Sequence, residues 1–214
     1  MDNLPFASAR PCSMPLIRSS QDYFEMYQGV VANLPHGAIE LTISELLLAY
    51  ERGNSIFIFG NGGSAALASH FACDLAKGTV VEGNGTKRFR AMALTDNIPL
   101  MTAWANDASY KEIFAEQLRN FVVPGDIAFA ISGSGNSPNV LRALEVARAA
   151  DALTIGLTGF QGGAMLPLCD RCIIVPSDNM QIIEDLHLSV AHALFLVIRS
   201  AIQQCQTTAA GAHD

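Results

Sequence analysis

Residues 126–137 read DIAFAISGSGNS, and this stretch decides how the rest of the chain is interpreted. The first six residues, from Asp126 to Ile131, are almost continuously apolar, and only serine, glycine and asparagine follow them. Pro138 then begins a helical pattern. The stretch therefore predicts a buried strand, a tight loop and the N-terminus of a helix.

The loop between this strand and helix is compatible with two roles. Its short side chains could surround an anion, and its glycines let the backbone approach that anion closely; the residues concerned are Ser132, Gly133, Ser134, Gly135, Asn136 and Ser137. The positive end of the following helix would favour a phosphate there. The alternative is an ordinary strand-to-helix turn in which Ser137 caps the helix. The local sequence leaves both roles open.

A second strand, loop and helix pattern precedes the first one. Residues 55–59 are apolar and partly β-branched or aromatic, residues 60–64 read GNGGS, and residues 65–77 have the composition of a helix. Further apolar runs alternate with helical patterns, at residues 89–94, 153–157 and 172–175. This alternation predicts an α/β fold: a three-layer sandwich with a five-stranded parallel sheet. Ligands of such sheets bind beyond the carboxyl ends of the strands, where both loops would lie.

The composition limits the classes of protein to which the chain can belong. Its 214 residues, half of them apolar, suffice for one sizeable buried core. A net charge of -7 argues against a nucleic-acid binder, because no basic stripe is available for a phosphate backbone. There is no signal-peptide pattern, and charges, histidine or glycine interrupt the apolar stretches before they reach membrane-spanning length. We therefore expect a cytoplasmic protein without a membrane partner.

The chain divides into one α/β domain and two ends that are predicted to be flexible. Residues 1–20 contain three prolines and no periodic pattern, and residues 206–214 are small and polar. Residues 21–205 form the single domain. Its first part, residues 21–52, has apolar residues at helical spacing and precedes any strand. Because two amphipathic helices must bury their apolar faces, we expect this part to contribute to a subunit interface.

Histidines and carboxylates on two predicted helices could carry chemistry. His70 and Asp74 are four residues apart and would share a helix face, which suits a metal ion, an acid–base pair or a plain surface contact. The last helix carries further groups of this kind, Glu184, Asp185, His187 and His192. His192 lies in an otherwise apolar segment, where a core histidine is the alternative. Glu184 and His192 are separated by about 12 Å along a helix, so a shared ion requires them to lean together or to come from different subunits.

Five cysteines are scattered along the chain, and two of them, Cys169 and Cys172, form a CxxC motif. Such a pair could be a redox site or half of a metal site. No second pair or nearby histidine completes a metal site, and buried reduced thiols are the alternative.

Taken together, these motifs resemble the sugar isomerase (SIS) domain, and more narrowly the phosphoheptose isomerase family. The resemblance covers residues 21–202 and rests on GNGGSA at 60–65 with His70, Thr95-Asp96, Asn106-Asp107 with Tyr110, the loop at 131–137, Leu157-Thr158-Gly159 and the histidines of the last helix. It implies a SIS-type, flavodoxin-like sheet and a homotetramer whose N-terminal helices build the interface. It also implies a sugar-phosphate isomerase that works through a cis-enediol, with one Zn²⁺ ion in each active site.

The resemblance implies a role for individual residues. The phosphate of the substrate would bind Ser132, Gly133, Ser134 and Ser137. The sugar would contact Asn61, Gly62, Gly63, Ser64, Thr95 and Asp96. Metal binding and acid–base catalysis would fall to His70, Asp74, Glu184 and His192. The expected reaction converts sedoheptulose 7-phosphate into D-glycero-D-heptose 7-phosphate.

Three residues depart from the family pattern. Asp74 stands where the family usually has glutamate, so its carboxylate reaches less far. Glu184 stands where glutamine is usual, which makes the site more anionic and should tighten the binding of a divalent metal. Gly133 replaces a threonine and removes one hydroxyl donor from the loop. These changes could shift the substrate preference.

Two other functions remain open on the sequence. A non-catalytic SIS protein could sense a sugar phosphate or act as an adaptor for a replication initiator, and it would keep the phosphate loop while losing the acid–base groups. Here all four metal and acid–base positions, His70, Asp74, Glu184 and His192, keep side chains that can act as ligands, which favours an enzyme. An isomerase or etherase of another sugar phosphate would share the fold and the loop.

Overall fold

The computed structural model describes residues 17–80 and 87–210, with side chains described as far as residue 205. Its helices are α1 (Ser20–Val31), α2 (His36–Arg52), α3 (Gly63–Cys73), α4 (Ile98–Asp107), α5 (Ala115–Phe121), α6 (Pro138–Ala149) and α7 (Met180–Ala210). Its strands are β1 (Ser55–Gly60), β2 (Arg90–Ala93), β3 (Ile127–Ser132), β4 (Leu153–Thr158) and β5 (Arg171–Ile174). Two helices precede the first strand, as predicted.

The five strands form one parallel sheet in the order β2-β1-β3-β4-β5. The chain first moves outward from β1 to β2 and then returns to place β3 on the other side of β1. This reversal opens a crevice at the carboxyl ends of β1 and β3, the place where open α/β sheets bind ligands. The predicted five-stranded parallel α/β fold is therefore confirmed.

The sheet separates two apolar layers, which explains why β3 is apolar from Ile127 to Ile131. Every residue of β3 is buried, because helices cover both of its faces. On one face α2, α3 and α7 pack around Phe71 and Phe129, whose ring centroids are 5.4 Å apart. On the other face α5 and α6 pack around Phe59 and Phe114.

Some element boundaries differ from the predicted ones. The predicted helix 65–77 is an α-helix only to Cys73, and Asp74–Gly78 form one π-helical turn. The predicted loop after β4 is largely 3-10 helical over Phe160–Leu168. The backbone of α7 continues to Ala210, into the predicted flexible tail. The predicted flexible arm lies outside the described residues except for residues 17–20.

The last helix corrects the expectation that no apolar segment reaches membrane-spanning length. Among the described residues, α7 is long and apolar enough to cross a membrane by length and composition, over Met180–Cys205. Over an apolar stretch of 18 residues within it, 44% is buried in the interior of the protein, and α1, α2 and α3 pack against α7. One side of α7 therefore packs in the core, while Leu188, Leu196 and Val197 on the rest of the helix are exposed.

Asp126 links the start of β1 to the turn before β3. Its carboxylate is buried and accepts hydrogen bonds from the backbone N–H of Ser55, at 2.7 Å, and of Val123, at 3.1 Å. We expect Asp126→Ala to lower the free energy of unfolding by about 2 kcal/mol, because two part-buried backbone N–H groups lose their charged acceptor. Urea denaturation measures this change. The exposed Glu40→Ala variant is the control, with an expected change of less than about 0.5 kcal/mol; equal losses in the two variants would contradict the assignment.

Candidate active site

The serine-rich loop lies at the crevice between β1 and β3 and leads directly into α6. Ser137 occupies the position before the first helical residue, but its side chain makes no capping hydrogen bond. Its hydroxyl oxygen instead lies 3.4 Å from that of Ser132, at the end of β3. The simple capping role for Ser137 is therefore wrong. An uncapped helix N-terminus with two neighbouring hydroxyl groups is well suited to hold an anion.

The loop is held in place by the 3-10 segment Phe160–Leu168. The backbone N–H of Met165 donates to the carbonyl of Gly135 at 2.9 Å, and that of Ala164 donates to the side chain of Asn136 at 2.9 Å. Gly135 has a φ of +63°, and a Cβ atom there would overlap the carbonyl oxygen of Gly162. The glycine is thus required by both the backbone conformation and the close approach of the segment.

The Gly133 departure has a packing counterpart on α7. A Cβ atom at Gly133 would lie 2.5 Å from the sulfur of Met180, so a threonine there would require Met180 to move. The same helix also passes the loop after β1, at residues 60–64. A Cβ atom on Gly63 would lie 3.3 Å from a carboxylate oxygen of Glu184. The first turns of α7 therefore lie against both loops.

Asn61 was predicted to contact the sugar, but its side chain is already hydrogen-bonded to other residues of the protein. It exchanges two hydrogen bonds of 2.8 Å with the amide of Asn139, and its oxygen also accepts from the hydroxyl of Tyr110 at 3.0 Å. Asn139 is buried and was not predicted as a site residue. In the sequence, Asn139 could have been recognised as a polar residue on the otherwise apolar face of α6. This network joins the loop after β1 to the N-terminus of α6.

Thr95 and Asp96, beyond the end of β2, are linked to α3 through Ser69. The hydroxyl of Ser69 donates to the carboxylate of Asp96 and lies 3.2 Å from the hydroxyl of Thr95. Ser69 was not among the predicted site residues. Because Ser69 directly precedes His70 on α3, its hydrogen bond keeps Asp96 at the same edge of the sheet as the two loops.

Three of the four predicted metal and acid–base residues come together. The Nε2 atoms of His70 and His192 are 2.9 Å apart, and the Oδ2 atom of Asp74 lies 3.4 Å from the first and 4.0 Å from the second. His70 and Asp74 extend from α3 and the following π-helical turn, whereas His192 comes from α7, 122 residues from His70 in the chain. His192 is exposed, with 46% of its side-chain surface accessible, so it is not a core histidine.

The π-helical turn allows α3 to pack closely against α7 at this point. A Cβ atom on Gly78, the last residue of the turn, would lie 2.7 Å from the ring of Phe195. Phe195 is three positions beyond His192. Because π turns are frequent at functional sites, the irregular end of α3 is consistent with a helix shaped to present Asp74.

Glu184 lies outside the three-residue cluster. It lines a neighbouring cavity of about 280 Å³ together with His70 and His187. His187 is the buried histidine of α7, and burial lowers its pKa to about 4, partly offset by the backbone of Thr158. No described group completes a hydrogen bond with either of its ring nitrogens. At neutral pH its ring is therefore neutral, and it adds no positive charge to the cavity.

The cluster of His70, Asp74 and His192 fits a Zn²⁺ ion. Its candidate ligand atoms lie within 4.8 Å of one another. The Oδ2 atom of Asp74 is buried and lacks a hydrogen-bond partner among the described residues, which is costly unless a cation meets it. Two imidazoles and one carboxylate form a ligand set found in catalytic zinc sites, which keep a further position open.

Comparison with known proteins places this geometry in a family. The SIS domain model matches residues 22–159. The chain is 38% identical over 187 residues to a phosphoheptose isomerase of Trichlorobacter lovleyi, covering 87% of this chain and 93% of that protein. It is 44% identical over 142 residues to the corresponding enzyme of Paramagnetospirillum magneticum, covering 66% of this chain and 72% of that one.

The fold comparison agrees with the sequence comparison. The structure of a phosphoheptose isomerase from Francisella tularensis superimposes with a TM-score of 0.77 at 30% identity, over 85% of this chain and 96% of that one. The residues matched by the SIS domain model include both loops at the crevice and the helix that carries His70. This chain therefore belongs to the SIS domain family and, within it, to the phosphoheptose isomerases.

Proposed function

We propose that the protein is a phosphoheptose isomerase that interconverts sedoheptulose 7-phosphate and D-glycero-D-heptose 7-phosphate through a cis-enediol. The observation that carries the proposal is the meeting of His70, Asp74 and His192 in a chain that shares 38% identity with a phosphoheptose isomerase. Two helices that are distant in sequence supply a compact set of acid–base and metal-binding groups. The phosphate loop at the crevice of the same sheet supplies an anchor for the substrate.

The substrate phosphate is assigned to the loop between β3 and α6. The uncapped N-terminus of α6 offers a positive dipole end, and the residues assigned to the phosphate are Ser132, Gly133, Ser134 and Ser137. The sugar is assigned to the loop after β1 and to the residues after β2, namely Asn61, Gly62, Gly63, Ser64, Thr95 and Asp96. Since the side chain of Asn61 is committed to Asn139 and Tyr110, we assign its contribution mainly to positioning of the loop.

The reaction moves a proton between C1 and C2 and another between their oxygens. The carboxylates of Asp74 and Glu184 are the candidate bases for the carbon-bound proton, because a carboxylate can accept a proton and return it on the neighbouring carbon. The imidazoles of His70 and His192 are assigned to the oxygen end of the substrate and to the metal. When bound, Zn²⁺ stabilises the negative charge that develops on the enediol oxygens.

The proposed homotetramer and its interface rest on the exposed apolar surface of the helices. In the described chain, α1 has no fully buried residue, and Phe24 is 60% exposed. Leu41 of α2 and Leu196 of α7 are each 55% exposed. Exposed apolar side chains on three adjacent helices support a subunit contact. We also propose that the enzyme acts in the cytoplasm, where sugar phosphates are metabolised.

The decisive experiment is an isomerisation assay on the purified protein loaded with Zn²⁺. We expect sedoheptulose 7-phosphate to yield the aldose product, and proton NMR in D₂O to show solvent deuterium at the carbon that exchanges its proton. Ribulose 5-phosphate and fructose 6-phosphate serve as comparison substrates. Absence of turnover together with absence of sugar-phosphate binding would overturn the enzyme assignment. Turnover of a comparison substrate alone would keep the isomerase but correct its substrate.

Asp74 gives a direct test of the metal assignment. We expect Asp74→Asn to weaken Zn²⁺ binding by about 10-fold or more, because the buried oxygen that lacks a hydrogen-bond partner loses its charge. Competition with a fluorescent chelator measures the affinity. Glu40→Gln, an exposed change on α2, is the matched control and should bind zinc like the parent.

Glu184→Gln tests the fourth predicted ligand: weaker zinc binding would add Glu184 to the site, and unchanged binding would confine the site to the three-residue cluster.

A further inference from the structure

The CxxC motif of Cys169 and Cys172 lies away from the proposed active site, where the segment Phe160–Leu168 enters β5. Both thiols are free, as the alternative of buried reduced thiols predicts, but they are only partly buried. They face one point of the central sheet: a Cβ atom on Gly156 of β4 would lie 2.7 Å from the sulfur of Cys169 and 3.2 Å from that of Cys172. A glycine inside a strand often marks such a close approach.

The absence of a side chain at Gly156 therefore creates the space in which the two sulfurs meet. The turn between them is fixed by Asp170, whose carboxylate accepts from the backbone N–H of Thr154 at 2.9 Å and from its hydroxyl at 2.8 Å. The N–H of Asp170 in turn donates to the carbonyl of Thr154 at 2.9 Å. The two thiols are thus held together by the sheet and do not depend on a flexible loop.

We propose that Cys169 and Cys172 form a dithiol site that is converted into an intrachain disulfide by exchange with a low-molecular-weight disulfide of the glutathione type. Because a disulfide requires sulfurs about 2 Å apart, side-chain rotation into the space beside Gly156 completes the approach.

The pKa values of the two thiols are shifted in opposite directions, which gives the thiols different roles in the exchange. The hydrogen bond from Cys169 lowers the pKa of Cys172, against the opposing effect of burial. The same hydrogen bond, together with burial, raises the pKa of Cys169. Cys172 is therefore the thiol that more readily becomes a thiolate and attacks, and Cys169 is the resolving thiol.

The exchange balances in two steps. The Cys172 thiolate attacks one sulfur of the small disulfide, forms a mixed disulfide and releases one thiolate, which takes up a proton. Cys169 then loses its proton and attacks the sulfur of Cys172, which releases the second small thiol. The protein loses two hydrogens and is oxidised, and the small disulfide is reduced to two thiols.

The disulfide would also constrain the segment that supports the phosphate loop. Cys169 directly follows this segment, whose Met165 and Ala164 donate hydrogen bonds to Gly135 and Asn136. A cross-link at the end of a segment reduces its local opening, so we expect amide hydrogen exchange at Met165 to slow by about threefold or more in the oxidised protein.

The sequence supplies a sharp test, because trypsin cleaves after Arg171, between the two cysteines. The experiment uses the full chain with Cys12, Cys73 and Cys205 changed to serine, so that only the pair remains. After incubation with glutathione disulfide, we expect tryptic peptides 149–171 and 172–199 to be joined and to separate on reduction. Phenylarsine oxide, which bridges two close thiols, should bind this protein at least 10-fold more tightly than it binds either single variant, Cys169→Ser or Cys172→Ser.

Gly156→Ala provides a variant that leaves both cysteines in place. Its added methyl group would lie 2.7 Å and 3.2 Å from the sulfurs of Cys169 and Cys172 and 3.0 Å from the methyl group of Met165, so we expect slower joining of the two peptides and weaker arsenical binding. Peptides that stay separate after incubation with glutathione disulfide, or arsenical binding that is the same in the parent and in both serine variants, would overturn the proposal. The parent protein gives the primary result, so the test does not depend on whether Gly156→Ala folds. None of these measurements depends on isomerase activity.

Discussion

Changing His192 to alanine is expected to lower the kcat of isomerisation by about 10²- to 10⁴-fold, the usual contribution of a positioned acid or base. His192 is one of two imidazoles whose Nε2 atoms meet at 2.9 Å beside the carboxylate of Asp74. Because the loop that we assign to the phosphate lies between β3 and α6, the binding of the sugar phosphate should be largely preserved. Steady-state kinetics gives kcat, and calorimetric titration gives the affinity for the substrate.

The matched control is His36→Ala, at the exposed start of α2. It removes the same ring from a helix without touching the cluster, and its kcat should equal that of the parent. Thermal unfolding of both variants excludes loss of the fold as a cause. A His192→Ala protein with parental turnover would remove the acid–base assignment. Sugar-phosphate binding without turnover in the parent itself would favour the non-catalytic sensor or adaptor.

The second large effect is expected for Gly135→Ala, in the loop that is assigned to the phosphate. A side chain at this position must adopt a φ of +63° and would overlap the carbonyl oxygen of Gly162. The left-handed conformation and the overlap together should lower the free energy of unfolding by about 3 kcal/mol. Urea denaturation measures this loss. Inorganic phosphate, which should raise the melting temperature of the parent, should stabilise the variant much less.

Gly53→Ala separates the two causes of this loss. Gly53 ends α2 with a φ of +71°, but nothing lies within 4 Å of a Cβ atom there. Only the conformational cost of about 1 kcal/mol should remain, and stabilisation by phosphate should be retained. Equal destabilisation of the two variants would show that the contact with Gly162 contributes nothing. Full stabilisation of Gly135→Ala by phosphate would contradict the assignment of the loop.

The fold was predictable because local patterns and the global architecture agree. The unbroken apolar run of β3 is typical of a strand covered on both faces, and its abrupt change to serine and glycine at Ser132 marks the carboxyl end. The repeated strand, loop and helix pattern then fixed a parallel sheet. The predicted helical end at Lys77 lies within one residue of Gly78, but the change to a π-helical turn at Asp74 was not predicted, because the close contact of Gly78 with Phe195 is a tertiary feature that no local pattern reports.

The site was predictable only in part. The chain places His70 and Asp74 on one turn of helix, so their proximity follows from helical spacing. Asn139 and Ser69 were missed, because a polar residue on a helix reveals its partners only when the neighbouring loop or helix is in place. For the histidines of α7, the core-histidine alternative for His192 is wrong, and the burial of His187 was not predicted. His187, and not His192, is the buried one, and this depends on which face of the helix meets the sheet.

The sequence by itself determined the parallel α/β fold, the two glycine-rich loops and the residue types available for chemistry, because these depend on periodicity and on backbone conformation. The tertiary structure alone decided that His192 joins His70 and Asp74 across 122 residues of chain, while Glu184, on the same helix, faces a neighbouring cavity. It also brought two thiols together beside Gly156. The physical reason is common to all three cases: contacts between elements depend on how helices pack against the sheet, and the spacing within one element does not contain that information.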